Sequence, residues 1–350
     1  MRKISLIALL ATFTALSPLA AQETEKPEYP SPSAIVEAAP ASEWVKIAHS
    51  DLLIMDLAPD ADGNPRRVVI QLMPPPFSQG WIRNIRKLAE AHWWDGTSIN
   101  RVQDNYVVQW GDAGYDNPES GETEQKALPE GLEAVPESEY SSAATSLDWP
   151  ILVSEYERDH AFHLSPELYD DDDRLLSSMR ANGLRDRYAD YSFTWKGWPI
   201  ASDLGDQTAR SWPVHCYGAV GVGRGYSPDT GSGAELYTVI GHAPRHLDRN
   251  IAVVGRVIEG IEHLSSLPRG KGQLGFYEDA SKRVPITAIR LASALPTADQ
   301  PRFEYLSTEG ETFAQYADAR ANRRDPFFIV PAGGADICNI PVPVRRVSGE

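Results

Sequence analysis

The sequence predicts a mainly β chain whose strands close into a barrel capped by two helices. Three observations lead there. Between residues 49 and 296 the apolar residues fall in short, β-branched-rich runs bounded by Gly, Asp, Asn and Pro, as strands and turns require. Within that span, outside a central insertion, two stretches, 80–92 and 259–267, read as helices. The regular alternation of strand and helix that marks a doubly wound parallel sheet is missing.

In chain order, the apolar runs 52–57 and 68–72 flank Asp60-Ala61-Asp62-Gly63-Asn64-Pro65, a turn that makes them a hairpin. After Pro74-Pro75-Pro76, Ser78 is placed to cap a helix over 80–92. Its Trp81, Ile82, Ile85, Leu88 and Ala89 keep helical spacing, while Arg83, Arg86 and Lys87 face away. Trp93-Trp94-Asp95-Gly96 turns the chain into expected strands at 98–102 and 106–110, closed by Gly111-Asp112. Strand-like sequence resumes at 217–222, 236–240 and 251–257. A short helix at 259–267 and a last strand at 285–291 complete the set.

Between the two blocks, residues 113–213 show no strong strand pattern. They carry Trp195, Trp198 and Trp212 late on, and a helix is expected near 175–184. A hundred structureless residues inside a compact domain would be unusual, so 113–213 reads as an acidic insertion with some structure of its own, packed beside the barrel. Its acidic half, 116–173, is expected to be mobile and protease-sensitive.

At the N-terminus, Arg2 and Lys3 precede an uncharged apolar run, 4–16, and the small residues Ala20 and Ala21. That is the layout of a signal peptide over 1–21, so the mature protein is expected to be exported, periplasmic or secreted. Residues 22–48 read as a linker. Residues 297–350 read as a C-terminal extension packing on the barrel, with a helix near 312–323. No later stretch has 18 uninterrupted apolar residues, so no membrane insertion is expected.

The formal net charge of −16 becomes −18 without Arg2 and Lys3, and residues 113–173 hold 17 Asp or Glu against Lys126 and Arg158. Such a field repels nucleic acid, which is excluded as a partner. Cys216 and Cys338 lack metal-site spacing; in an oxidising compartment they read as one disulfide, the alternative being two buried thiols. His160 and His163 beside Asp170–Asp173 have no ligand set of known spacing, so no metal is expected. Gly221-Val222-Gly223-Arg224-Gly225 lacks dinucleotide-loop spacing and no Gly-x-Ser-x-Gly occurs, which removes nucleotide-binding and hydrolase readings.

Six segments in a fixed order carry a resemblance. Val68-Val69-Ile70-Gln71-Leu72, Trp94-Asp95-Gly96-Thr97-Ser98-Ile99-Asn100-Arg101-Val102 and Val108-Gln109-Trp110-Gly111-Asp112 form the first half. Glu235-Leu236-Tyr237-Thr238-Val239, His246-Leu247-Asp248 and Val254-Gly255-Arg256-Val257-Ile258-Glu259-Gly260 form the second. Blocks 51–112 and 214–295 thereby resemble cyclophilins, within a domain spanning 49–296. The resemblance implies a closed eight-stranded antiparallel β-barrel capped by two helices, with the active groove on its outer face. It also implies a peptidyl-prolyl cis–trans isomerase that needs no cofactor and acts on proline-containing polypeptides, here as a monomer assisting the folding of exported proteins. The alternative is a weak or inactive cyclophilin-like module that binds peptides as a chaperone.

Rotation about an X–Pro bond meets a barrier of about 20 kcal/mol because of amide resonance. A catalyst needs a dry grip on the proline ring and a fixed donor for the twisted amide, whose nitrogen has regained its lone pair. The resemblance assigns the donor to Arg101, whose guanidinium is always charged and geometrically fixed. It assigns orientation of the arginine and the substrate carbonyl to Gln109, eight residues on. By position, Tyr106, Val107, Tyr237, Leu247 and Ile251 would build the pocket, Glu235 and His246 would also contact substrate, and Gly221, Gly223 and Gly225 would let substrate backbone lie close. The chain departs from the family pattern with Asn100 for histidine, Tyr237 for phenylalanine, Glu235 for glutamine, His246 for tryptophan and Ile251 for histidine. Tyr237 is expected to add a hydroxyl to the pocket, Ile251 to make its wall apolar, and Glu235 to set a carboxylate beside the peptide groove. His246 lowers the expected affinity for cyclosporin.

Overall fold

The computed structural model describes residues 29–115, 117–143, 186–203 and 209–347. In chain order they form α1 (Pro32–Glu37), β1 (Trp44–Lys46), β2 (Leu52–Leu57), β3 (Arg66–Leu72), α2 (Gln79–Glu90), β4 (Ser98–Val102) and β5 (Val107–Gly111). The insertion supplies β6 (Ser142–Ala143), β7 (Tyr191–Trp195), β8 (Trp198–Asp203) and β9 (Arg210–Pro213). Then come β10 (Ala219–Val222), β11 (Leu236–Val239), β12 (Val253–Glu259), α3 (Glu262–Ser265) and β13 (Val284–Leu291). The chain continues through β14 (Phe303–Leu306) and α4 (Glu311–Ala321) to β15 (Val344–Arg346).

Eight strands close into an antiparallel barrel in the order β10-β11-β5-β4-β13-β2-β3-β12. The β2–β3 hairpin turns where expected: the Asp60 carboxylate accepts from the backbone N–H groups of Asp62 and Asn64, and Gly63 takes φ +83°. Alternation along each strand sends Leu53, Met55, Val68, Ile70, Val108 and Trp110 into one continuous core. Helix α2 buries Trp81, Ile82, Ile85, Leu88 and Ala89, as its spacing predicts.

The start of that helix differs from the sequence reading. Ser78 makes no capping bond; it sits at φ 56°, and its hydroxyl donates to the Val253 carbonyl at 2.7 Å. The Glu139 carboxylate, from the insertion, accepts instead from Gly80 N–H at 3.1 Å, an anion at the positive end of the helix. The second capping helix is shorter than expected, because β12 keeps pairing with β3 through Glu259 and Gly260 then turns at φ +82°.

Two further expectations change. The insertion contains strands: β6, β9, β8 and β7 form a four-stranded sheet, with Trp195, Trp198 and Trp212 on it. Residues 117–143, its described first part, pack against α2; the rest of the acidic half, 144–173, lies outside the described residues. The Trp81 and Tyr140 rings stack 5.3 Å apart, Asn84 bonds the backbone of Glu133 in both directions, and Val135 is buried. The helix expected at 175–184, and His160 and His163, lie outside the described residues.

Residues 29–48, read as part of a linker, also take part in the fold. β1 pairs with β14, β14 pairs with β15, and α1 packs on α4, so a segment before the barrel and the extension after it build one small sheet-and-helix unit. Cys216 and Cys338 are joined in a disulfide that ties this extension to the chain just before β10.

Candidate active site

The register of four neighbouring strands sets up the site. Arg101 on β4 faces Gln109 on β5, Gln109 faces Tyr237 on β11, and Tyr237 faces Gly221 on β10. Directly opposed residues point to the same side of a sheet, so these four form one row across the outer face.

Arg101 reaches that row through a bulge. Ile99 pairs with Trp110 while Arg101 pairs with Gln109, so Asn100 is an extra residue on β4. In an unbulged register of the same sequence, Asn100 would face Gln109 and Arg101 would fall opposite Val108 and point into the apolar barrel. The extra residue turns the guanidinium outward and buries Asn100 instead.

The guanidinium is held on three sides. Its Nε donates to the Leu274 carbonyl at 2.7 Å, Nη1 to Gln109 Oε1 at 3.1 Å, and Nη2 to Gln103 Oε1. Its carbon lies 5.9 Å from the Tyr106 ring centre and 5.6 Å from that of Phe276. One N–H on each terminal nitrogen is left over from these bonds. Burial lowers the Arg101 pKa from its ordinary value, while Tyr106, Glu119 and Tyr237 push back. Gln109 is locked from its other end, its Nε2 donating to Asn117 Oδ1 at 3.0 Å.

Around this pair stand the expected pocket residues. Val107 is buried two positions before Gln109 on the same face, and Tyr106, Leu247 and Ile251 are half-buried against the core. His246 is exposed and stacks on Tyr106, with ring centres 6.3 Å apart. The Tyr237 hydroxyl turns out of the pocket to His215 Nε2 at 2.9 Å, so toward a ligand this tyrosine presents only its ring.

Glu235 is buried rather than lining an open groove. Its carboxylate accepts from Asp112 N–H at 2.6 Å and from Asn117 Nδ2 at 3.3 Å, which fastens the first turn of the insertion behind Gln109. Burial pushes its pKa well up, against the lowering effect of those bonds. The glycines divide. Gly221 is occupied by the Tyr237 ring, since a Cβ there would meet that ring at 2.3 Å. Gly223 passes over Glu235 and Gln109. Gly225 donates its N–H to Asp229, away from the row.

Asn117, His215 and Asp248 belong to this site and escape sequence reading of function. Asp248 appears there only as part of a turn motif, and an asparagine in an acidic stretch or a histidine after Pro213 carries no local signal. Each acts through partners distant in sequence.

Such a row offers a positioned cation and an amide beside an aromatic and aliphatic wall, with no nucleophile among its members. The model of the cyclophilin type peptidyl-prolyl cis–trans isomerase/CLD family matches residues 81–291. The crystal structure of cyclophilin AquaCyp293 from Hirschia baltica superposes with a TM-score of 0.58 at 21% identity, covering 88% of this chain and 94% of that one. A cyclophilin type isomerase from Cryptosporidium parvum, crystallised in the presence of dipeptide Ala-Pro, gives a TM-score of 0.33 at 10% identity over 68% of this chain and 98% of that one. No curated protein matches the sequence significantly. With the family match spanning more than half its length, this chain belongs to the cyclophilin-type peptidyl-prolyl cis–trans isomerases, enzymes that rotate X–Pro bonds in proline-containing polypeptides.

Proposed function

We propose that the row Arg101–Gln109–Tyr237 is where this isomerase turns the X–Pro bond. Arg101 donates to the proline nitrogen as it pyramidalises. Gln109 holds Arg101 from Oε1 and, fixed from behind by Asn117 and Glu235, orients it toward the substrate. Tyr237, Tyr106, Val107, Leu247 and Ile251 enclose the proline ring, and His246 and Gly223 border the peptide. The observation that carries this reading is the guanidinium, fixed by three hydrogen bonds and left with two N–H groups beside an apolar wall. A donor held in place before the reaction stabilises the twisted amide without reorganising. No step calls for a metal, a nucleotide or a covalent intermediate.

The charged and apolar pattern of residues 1–21 supports an exported enzyme acting on folding polypeptides outside the cytoplasm. A disulfide suits an oxidising compartment.

The test is Arg101→Ala, which is expected to lower isomerisation of a short Ala-Pro peptide by about 10²–10³-fold with the fold intact, the scale for losing one preorganised donor. Arg101→Lys should rescue little, because an ammonium cannot make the same planar set of bonds. Wild-type rates in Arg101→Ala would remove Arg101 from the mechanism.

A further inference from the structure

The Tyr237 hydroxyl ends a chain of buried polar groups that runs away from the pocket. His215 Nε2 lies 2.9 Å from the hydroxyl, and His215 Nδ1 lies 2.9 Å from Asp248 Oδ1. The other Asp248 oxygen accepts from Arg245 Nε at 2.6 Å, and Arg245 Nη1 donates to Asp186 Oδ2 at 2.8 Å. All four side chains beyond the tyrosine are at most 2% exposed. Withdrawing four ionisable groups from water costs free energy that apolar residues of the same volume would avoid. Architecture alone is therefore a poor reason for the chain, and its end point is informative: the one ring that floors the candidate pocket.

The partners dictate where the protons sit. Asp248 Oδ1 also accepts from the backbone N–H of His215 at 3.0 Å. Burial pushes the Asp248 carboxyl up, but its bonds to His215 and Arg245 and the Arg245 charge help hold the group below its ordinary value. A carboxylate can only accept, so His215 Nδ1 carries a hydrogen, and in the neutral imidazole Nε2 then presents its lone pair to the phenol. That lone pair lies in the imidazole plane, and the planes of the two rings are within 9° of parallel, so the ring orientation is compatible with a bond from the phenol O–H. The phenol is thus tied at its oxygen and passes closely over Gly221, where no side chain could stand.

We propose that His215 is a positioning residue of this isomerase: Asp248 sets its tautomer, and its Nε2 locks the Tyr237 ring as a rigid apolar floor under the proline. This rests on the reading that Tyr237 forms the proline pocket. A floor that no longer turns removes one freedom that the transition state would otherwise have to freeze.

Tyr237→Phe deletes the hydroxyl alone. His215→Asn keeps an N–H toward Asp248 but takes the acceptor away from the phenol. Each single variant is expected to lose about tenfold in kcat/KM, the worth of one hydrogen bond. The double variant should lose no more than either single, since both remove the same bond. In protein with 13C-labelled tyrosine, the ring carbons of Tyr237 should give separate signals in the wild type and flip-averaged ones in His215→Asn, which a merely structural histidine would not produce. Losses that multiply in the double variant, or wild-type rates and ring signals in His215→Asn, overturn the proposal. Should His215→Asn fail to fold, Tyr237→Phe decides: a tenfold slower enzyme supports the lock, and a wild-type rate refutes it. Failure of the underlying pocket reading looks different, because then Tyr237→Ala would bind an Ala-Pro peptide as tightly as wild type.

Discussion

Gln109 stands between a cation whose charge is useful and a carboxyl whose charge is unwelcome. Arg101 keeps its charge at a partly wet edge, where three acceptors surround it. Glu235 is sealed behind Gln109, where burial favours the neutral acid over the bonds from Asp112, Asn117 and Gln109 that favour the anion. The sign of the consequence follows from that direction. A carboxyl whose folded pKa is raised contributes stability that is fully present below its ordinary value of about 4.3 and is lost as pH rises through the folded value. Glu235→Gln, the residue that the family pattern has there, removes the titration. Its melting temperature minus that of the wild type should therefore climb as pH rises from about 4 toward 8. A difference that stays flat with pH would show that Glu235 titrates as an exposed acid does.

Among the elements, much was legible because the signals are local. The turn 60–65, the amphipathic face of α2 and the strand runs all reappear, and Arg101 and Gln109 face each other across β4 and β5. What was hidden depends on non-local pairing. Nothing within Ser98–Val102 announces that Asn100 is a bulge; the pairing with β5 decides it. Glu139 caps α2 from 59 residues away, and β1 looks like linker until β14 is beside it. The cysteines are an intermediate case, because an isolated pair suggests a bond without saying what it fastens. In the fold it fastens Ile337 and its turn onto Trp212 and Val214, beside His215. Closing a separation of 122 residues restricts the unfolded chain by about 5 kcal/mol in the loop-entropy account. Replacing both cysteines by serine should lower the unfolding free energy by a corresponding amount and move the denaturant midpoint down, with a steeper slope because the unfolded chain is less compact. A midpoint within error of wild type would mean that the extension is held by its packing alone.

Across the whole molecule, the run Leu52-Leu53-Ile54-Met55 explains why the ends of the chain matter. A strand with one wet face alternates apolar and polar residues, whereas β2 is apolar at successive positions, as a strand covered on both sides must be. Leu53 and Met55 face the barrel core. Leu52 and Ile54, with Val69 of β3, meet Ile47 and Phe303 in a second cluster outside it. That cover comes jointly from the segment before the barrel and the extension after it, since β1 takes its backbone partners from β14. Phe303, Leu306 and Phe313 are almost wholly buried, and each such side chain stabilises by about 1.5–3 kcal/mol. Removing residues 297–350 would therefore expose the outer face of β2 and β3, strip β1 of its partner and leave Cys216 unpaired. The truncated chain should melt well below the full one, bind a hydrophobic dye and be cut by protease within 29–48, where the intact protein resists. Isomerase activity should persist in the cold, because none of Arg101, Gln109 or Tyr237 touches the extension directly. A truncated chain as stable and protease-resistant as the intact one would mean that the barrel covers its own outer face, and that the apolar run in β2 has some other cause.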